Sequence, residues 1–213
     1  MNSEEITLRA GLEQLQLELT DVQISQLLGY LALIAKWAKV YNLTAVRDPA
    51  EMMTHHLLDS LTLIAPLQHR APQGKLLDVG SGAGLPGVVI AICCPAINVT
   101  CVDTVAKKAT FIKQVALELT LPNLTGLHAR VENITEQFDV ICSRAFASLK
   151  DFTDWSIAAL APAGVWLAMK GKHPADELAL LPETVDVFHV EQLQVPGLRA
   201  ERCLVWIRKK AVS

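Results

Sequence analysis

Four glycines fall within eight residues in Leu76-Leu77-Asp78-Val79-Gly80-Ser81-Gly82-Ala83-Gly84-Leu85-Pro86-Gly87, and this is the densest chemical signal in the chain. The segment follows an apolar run ending at Val79 and precedes Val88-Val89-Ile90-Ala91-Ile92, which is the pattern of a strand, a tight turn and a helix. Glycines at 80, 82 and 84 remove side chains where a ligand would approach backbone, and Gly87 permits tight packing of the helix on the sheet. A turn without a ligand would keep the entropic cost of four glycines with no compensating contact.

Two classes of nucleoside cofactor use such a turn. Gly82-x-Gly84-x-x-Gly87 satisfies the dinucleotide fingerprint, which admits a nicotinamide dinucleotide. Asp78 points the other way. A pyrophosphate at the helix N-terminus would be repelled by an acid just upstream, whereas the sulfonium and ammonium groups of S-adenosylmethionine would be attracted. The bland alternative for Asp78 is a strand-end carboxylate satisfied internally. Asp103, ending Val99-Thr100-Cys101-Val102-Asp103, stands where an acid accepts hydrogen bonds from ribose hydroxyls in either class. It also stands where it would cap the helix expected over 107–119. Ala129-Arg130-Val131-Glu132-Asn133 falls on the same rim of strand ends, where backbone amides would read an adenine.

The elements that hold these residues show in the hydrophobic period. Leu8, Leu12, Leu15 and Leu19 suggest one helix, and Thr20-Asp21-Val22-Gln23 has the form of a capping box ahead of the stripe Ile24, Leu27, Leu28, Leu31, Ile34 and Ala38. Asp48-Pro49-Ala50-Glu51 predicts another helix start. From Lys75 onward, strands are expected over 75–79, 98–102, 125–128, 138–143 and 165–169 with helices between, and the segments 184–195 and 202–207 read as an antiparallel closing hairpin. That alternation predicts an α/β chain with a mostly parallel sheet covered on both faces.

The chain has 213 residues, 51% of them hydrophobic and 19% charged, enough to bury a core without metal or disulfide. The acidic N-terminus, Met1-Asn2-Ser3-Glu4-Glu5, has the form of neither a signal nor a transit peptide. No apolar run reaches the roughly 20 residues of a membrane helix. The five cysteines include no Cys-x-x-Cys spacing, so they are expected as buried thiols in a reducing cytosol and no metal is expected. A net charge of −3 argues against broad electrostatic capture of nucleic acid, so any RNA contact must be local. Lysines 107, 108 and 113 on one helix and 150, 170 and 172 near later strand ends supply local positive charge.

Tyr41-Asn42-Leu43-Thr44-Ala45-Val46-Arg47-Asp48, His56-Leu57-Leu58-Asp59-Ser60, Asp78 through Gly87, Arg130-Val131-Glu132, Ser143-Arg144-Ala145-Phe146-Ala147-Ser148-Leu149 and Leu193-Gln194-Val195-Pro196 together resemble the RsmG family, also called GidB. These are bacterial methyltransferases acting on guanine N7 in 16S ribosomal RNA. The resemblance spans nearly the whole chain. It implies a Rossmann-like class I methyltransferase fold, with a mostly parallel seven-stranded sheet closed by a C-terminal antiparallel hairpin. An N-terminal helical region over 1–70 would pack on a cofactor-binding unit over 71–213.

The resemblance further implies S-adenosylmethionine contacts at Gly80, Leu85, Val131, Glu132 and Arg144, to which the residue-level reading adds Asp78, Gly82, Gly84 and Asp103. Ser81 stands where the family has threonine and keeps the hydroxyl, and His55 stands where the family often has arginine, which weakens one RNA contact there. For catalysis the expected residues are Arg144, His56, Asn42 and Lys170. Arg144 would hold the cofactor carboxylate or reach guanine O6. Guanine N7 offers an unprotonated lone pair near neutral pH, so placement and electrostatics would dominate. The expected partner is 16S rRNA in the small ribosomal subunit or an assembly intermediate, met by a cytoplasmic monomer away from any membrane.

Overall fold

Asn2 Oδ1 accepts the Glu5 N–H at 2.9 Å and starts α1 (Ser3–Gln14), and the Thr20–Gln23 capping box forms as expected and starts α2 (Asp21–Ala38). The computed structural model describes residues 2–39, 43, 44, 46 and 48–210. The first stripe is shorter than its leucine spacing suggests. Gln16 adopts φ 54°, which ends α1, so Leu15 and Leu19 pack on the core from the connection instead.

Asp48 Oδ1 accepts the N–H groups of Ala50 and Glu51 at 2.9 and 3.0 Å, and α3 (Pro49–Met52) begins there. It runs through a π-helical turn, Met53–Leu58, into α4 (Asp59–Leu61), and α5 (Ile64–Arg70) leads to the sheet. Strands and helices then follow as β1 (Gly74–Val79), α6 (Gly87–Cys93), β2 (Ile97–Asp103), α7 (Ala106–Glu118), β3 (Leu124–His128), β4 (Phe138–Arg144), α8 (Leu149–Ser156), β5 (Leu160–Lys170), α9 (Ala175–Ala179), β6 (Val185–Leu193) and β7 (Arg202–Lys209).

The seven strands lie in the order β3-β2-β1-β4-β5-β7-β6. The pairings of β1, β2, β3, β4 and β5 are parallel, and β7 runs antiparallel to both β5 and β6. The expectation of a helix between every pair of strands fails once. Residues 129–137 joining β3 to β4 are too few for a covering helix, and only a 3₁₀ turn, Val131–Asn133, forms there.

Both sheet faces are covered. On one, α6 is buried along its whole length, and a continuous apolar cluster joins Leu8, Leu27 and Ile34 to Val89, Phe111 and Trp206. The N-terminal helices therefore share a core with the sheet. On the other face Phe152 of α8 packs with Phe138, Trp166 and Ile207.

The most specific link between the two regions is polar. The buried Tyr30 hydroxyl of α2 donates to the Ala83 carbonyl at 2.7 Å, bracing the glycine turn from behind. Tyr30→Phe leaves that carbonyl short of a donor. It should lower stability by about 1–2 kcal/mol in chemical denaturation, with an unchanged denaturant slope.

All five cysteines are buried and free, and burial pushes their thiols up, that of Cys94 to about 11. Among the described residues no helix is long and apolar enough to cross a membrane.

Candidate active site

Strand order reverses between β1 and β4, and the loops after these strands emerge side by side at the carboxyl edge of the sheet, where open α/β sheets bind ligands. In the β1 loop, Gly80, Gly82 and Gly84 take φ +65°, +59° and +90°, a region that side chains enter only with strain. What surrounds each differs. A Cβ on Gly80 would overlap the Phe146 ring, and one on Gly84 would come within 2.5 Å of Ile112 and Val88. A Cβ on Gly82 would meet nothing nearer than the Gly80 carbonyl at 4.0 Å, so this position opens outward. Gly87 has no room for a side chain either, since its Cβ would overlap Cys101 Sγ and lie 2.7 Å from Asp78 Oδ2.

Two clefts meet at this loop, sharing Gly80 and Ala145. The first, about 370 Å3, is bounded by Asp103, Val105, Val131, Glu132, Phe146 and Trp155. Asp103 is fixed from both sides. Its Oδ2 accepts the Gly82 N–H at 3.0 Å and also faces the Lys108 ammonium at 3.5 Å, and its Oδ1 accepts the Val105 N–H at 2.9 Å, which leaves a further lone pair on Oδ1 for a sugar hydroxyl. The cap position of α7 belongs to Val105, so Asp103 orders the turn before the helix rather than capping it. Phe146 and Trp155 meet edge to face at 5.9 Å between centroids and form an aromatic wall. A carboxylate for a ribose, an aromatic wall for a base and a glycine turn for close approach fit the nucleoside half of S-adenosylmethionine.

The second cleft, about 600 Å3, is lined by residues from both ends of the chain, including His56, Asp59, Leu85, Arg144, Lys170 and Arg202. At its centre the buried Asp59 accepts from Arg144 Nη1 through Oδ2 and from Arg202 Nε through Oδ1, each at 2.9 Å. One carboxylate thus holds two guanidiniums, so this cluster carries a net positive charge in a cleft that Glu51 also lines. Arg144 Nη1 also donates to the His55 carbonyl at 2.7 Å, within the π-helical turn. That contact is made by backbone, so it is indifferent to histidine standing where the family often has arginine. Ala145, beside Arg144, takes φ 52°, an uncommon conformation for a residue other than glycine, at the junction of the clefts.

His56 and Lys170 line the same cleft; Lys170 is fully engaged, whereas His56 has a partner at Nε2 and none among the described residues at its buried Nδ1. His56 Nε2 lies 2.7 Å from Thr44 Oγ1, and burial, followed by the charge of Arg144, pushes the imidazole down to about 4. The ring is neutral at physiological pH. Lys170 Nζ donates to the Ala147 carbonyl at 2.9 Å and to both oxygens of Glu177 at 2.8 and 3.1 Å. Asn42 lies outside the described residues.

Asp78 is placed differently from the sequence expectation. It lines neither cleft, lies fully buried beneath the loop, and accepts the Gly87 N–H at 2.9 Å through Oδ2 while Oδ1 has no partner among the described residues. Burial pushes the carboxyl up to about 7, opposed by the Gly87 N–H and by Arg144. The residue ties the turn to α6 rather than offering a charge to a ligand. Because its folded value lies above the ordinary one near 3.8, its contribution to stability is full below that value and is lost as pH rises through about 7. The thermal midpoint of the wild type should therefore fall between pH 5 and 8 relative to Asp78→Asn, which cannot ionise; parallel curves would refute this.

Asp59, Arg202, Thr44, Phe146 and Trp155 carry no separate sequence signal of a site. Asp59 and Phe146 lie inside the family-like segments, and an acid in the apolar run Leu57-Leu58-Asp59 is the one hint that sequence offers. Nothing local marks Arg202.

The strand order, the glycine turn after β1 and the acid ending β2 define a class I methyltransferase. The fold agrees with solved structures. The N-methyltransferase NodS from Bradyrhizobium japonicum, in complex with S-adenosyl-L-homocysteine, superposes with a TM-score of 0.58 over 83% of this chain and 100% of that one at 14% identity. TrmN from Thermus thermophilus gives 0.56 over 74% and 53% at 19% identity. The family model for GidB, rRNA small subunit methyltransferase G, matches residues 23–205. A ribosomal RNA small subunit methyltransferase G from Polaromonas naphthalenivorans is 74% identical, covering 95% of this chain and 94% of its own length, and one from Albidiferax ferrireducens is 64% identical over the full length of both. The chain belongs to the rRNA small subunit methyltransferase G family and is an S-adenosylmethionine-dependent methyltransferase. The nicotinamide alternative is set aside.

Proposed function

We propose that the enzyme transfers the methyl group of S-adenosylmethionine to N7 of a guanine in 16S rRNA of the small ribosomal subunit. The observation that carries this reading is the pair of guanidiniums, Arg144 and Arg202, held on the buried Asp59 in a cleft that opens directly onto the glycine turn. Guanidinium N–H groups pair with guanine O6, which lies beside N7 on the same edge of the base.

When bound, the cofactor supplies an electrophilic methyl carbon on a sulfonium. The chain's residues then have to place and enclose the reactants. Asp103 accepts from the ribose, backbone at Val131 and Glu132 meets the adenine, and Gly80, Gly82, Gly84 and Leu85 allow the methionyl part to lie against main chain. Arg144 and Arg202 between them hold the carboxylate of the cofactor and O6 of the acceptor. Guanine N7 is unprotonated, so no residue needs to remove a proton, in keeping with a neutral, buried His56 and a Lys170 tied to Glu177. Positive charge is moved from sulfur to the purine rather than created. Proximity and alignment therefore carry most of the rate. His56 and Lys170 are positioning residues in this scheme.

The net charge of −3 favours a folded ribonucleoprotein over free strands as substrate, and the enzyme acts as a cytoplasmic monomer with residues 1–70 forming a wall against the unit over 71–213. Labelled S-adenosylmethionine incubated with small subunits, naked 16S rRNA and subunit proteins tests the acceptor. Label should enter RNA, fastest in the particle or an assembly intermediate. Label confined to protein overturns the proposal.

A further inference from the structure

At the opposite edge of the sheet from the two clefts lies a patch of aromatic rings and guanidiniums, in which the fully buried Trp206 belongs to the core and the half-buried Phe188 and the arginines serve none of the roles above. Arg70, the last residue of α5, sets its guanidinium 5.9 Å from the ring centroid of Phe188 and 5.3 Å from that of Trp206. Arg208 stands over Phe188 at 5.1 Å. Together with His69 and Val165, Arg70 and the two rings line a cleft of about 360 Å3.

Phe188 reaches this position through an irregularity in the sheet. Val187 pairs with Ile207 and His189 with Trp206, so Phe188 is an extra residue between them on the edge strand. A bulge of this kind re-aims a side chain, and here it leaves an aromatic ring half-buried between two arginines.

The two arginines differ in partners. Arg208 pairs with Asp186 at 2.8 Å, whereas Arg70 is exposed and has no carboxylate partner among the described residues. Trp206 Nε1 donates to Glu191 at 3.0 Å, which fixes the floor of the cleft. In a chain with net charge −3, an exposed guanidinium resting on aromatic faces is a local cationic surface with stacking capacity.

We infer that this patch is a second RNA contact, taking an unstacked nucleotide of the substrate particle with its base against Phe188 and its phosphate on Arg70 and Arg208. Stacking on aromatic and guanidinium planes with phosphate neutralisation is how proteins hold single-stranded or looped RNA. The contact lies near the start of the parallel strands, so it grips the particle away from the guanine undergoing methylation. It rests on the assignment of ribosomal RNA as acceptor.

Arg70→Gln tests it, because the residue is exposed, outside the catalytic clefts and not needed by the core. Initial rates on small subunits are measured at saturating cofactor over a series of salt concentrations, with S-adenosylhomocysteine affinity measured in parallel. The expected result is a KM for the particle raised about tenfold, with kcat and S-adenosylhomocysteine affinity unchanged, and a slope of log KM against log salt shallower by about one unit. Phe188→Leu, which keeps apolar bulk and removes the stacking ring, should raise KM without changing the slope. An unchanged KM and slope for Arg70→Gln overturns the inference. A raised KM with the wild-type slope assigns the patch to a protein neighbour and overturns it equally. A wild type that methylates no small-subunit RNA removes the acceptor assignment itself, a failure visible before any variant is compared.

Discussion

Arg144→Ala should lower methyl transfer about 10²–10³-fold while the protein stays folded. The guanidinium lies at the end of β4, is largely buried, and bridges the His55 carbonyl and Asp59 where the two clefts meet. Its removal does not strand Asp59, because Arg202 continues to occupy the other carboxylate oxygen at 2.9 Å. The stability loss should therefore be about 1–2 kcal/mol, a few degrees in thermal midpoint for a chain of this size. Arg144→Lys keeps the charge but not the planar fork, so it should recover little activity. Isothermal titration with S-adenosylhomocysteine alongside rates on small subunits separates the effects. Full activity in Arg144→Ala would remove the residue from the site.

Gly82→Val should abolish cofactor binding at a stability cost set by backbone strain alone, without the steric collisions that the other glycines of the turn would suffer. Its φ of +59° costs a side chain about 1–2 kcal/mol, yet its Cβ would meet nothing closer than 4.0 Å. The added isopropyl group projects outward into the cleft that Gly82 lines, where the proposed cofactor would meet backbone. Gly87→Ala should behave in the opposite way, because its Cβ collides with Cys101 and Asp78 and forces α6 off the sheet. Thermal midpoints with and without S-adenosylhomocysteine separate the two. Gly82→Val should show a midpoint lowered by several degrees and no ligand-induced rise, and Gly87→Ala a depressed midpoint with a rise retained. A normal rise in Gly82→Val would show that the cofactor does not approach the turn there.

Local chemistry was readable without coordinates wherever the partners lie close in sequence. The Thr20–Gln23 cap, the Asp48 helix start and the glycine turn are each written within a few residues, and the closing hairpin joins strands adjacent in sequence. Asp103 also was legible, since an acid at a strand end faces the same rim as the glycine loop. The choice between the two readings of Asp78 is not legible in the sequence, for a related reason. Residue type and spacing gave its height along β1 but not the side to which its carboxylate turns, and the tight seat of Gly87 draws it inward. The Asp59–Arg202 contact joins positions 143 apart, and Tyr30 reaches Ala83 across 53 residues. Such pairings depend on how the N-terminal helices dock on the sheet, which hydrophobic periodicity does not encode. The leucine stripe of α1 failed differently, because a left-handed backbone at Gln16 overrides the spacing.

The central claim, methylation at guanine N7, is tested most directly by identifying the modified nucleoside. Small ribosomal subunits lacking the modification are incubated with the enzyme and methyl-labelled S-adenosylmethionine, and their 16S rRNA is digested to nucleosides and separated. The label should run as 7-methylguanosine, from a single position, and enter about 10²–10³-fold more slowly with Arg144→Ala. Label on an exocyclic nitrogen, a ribose oxygen or another base would contradict the account.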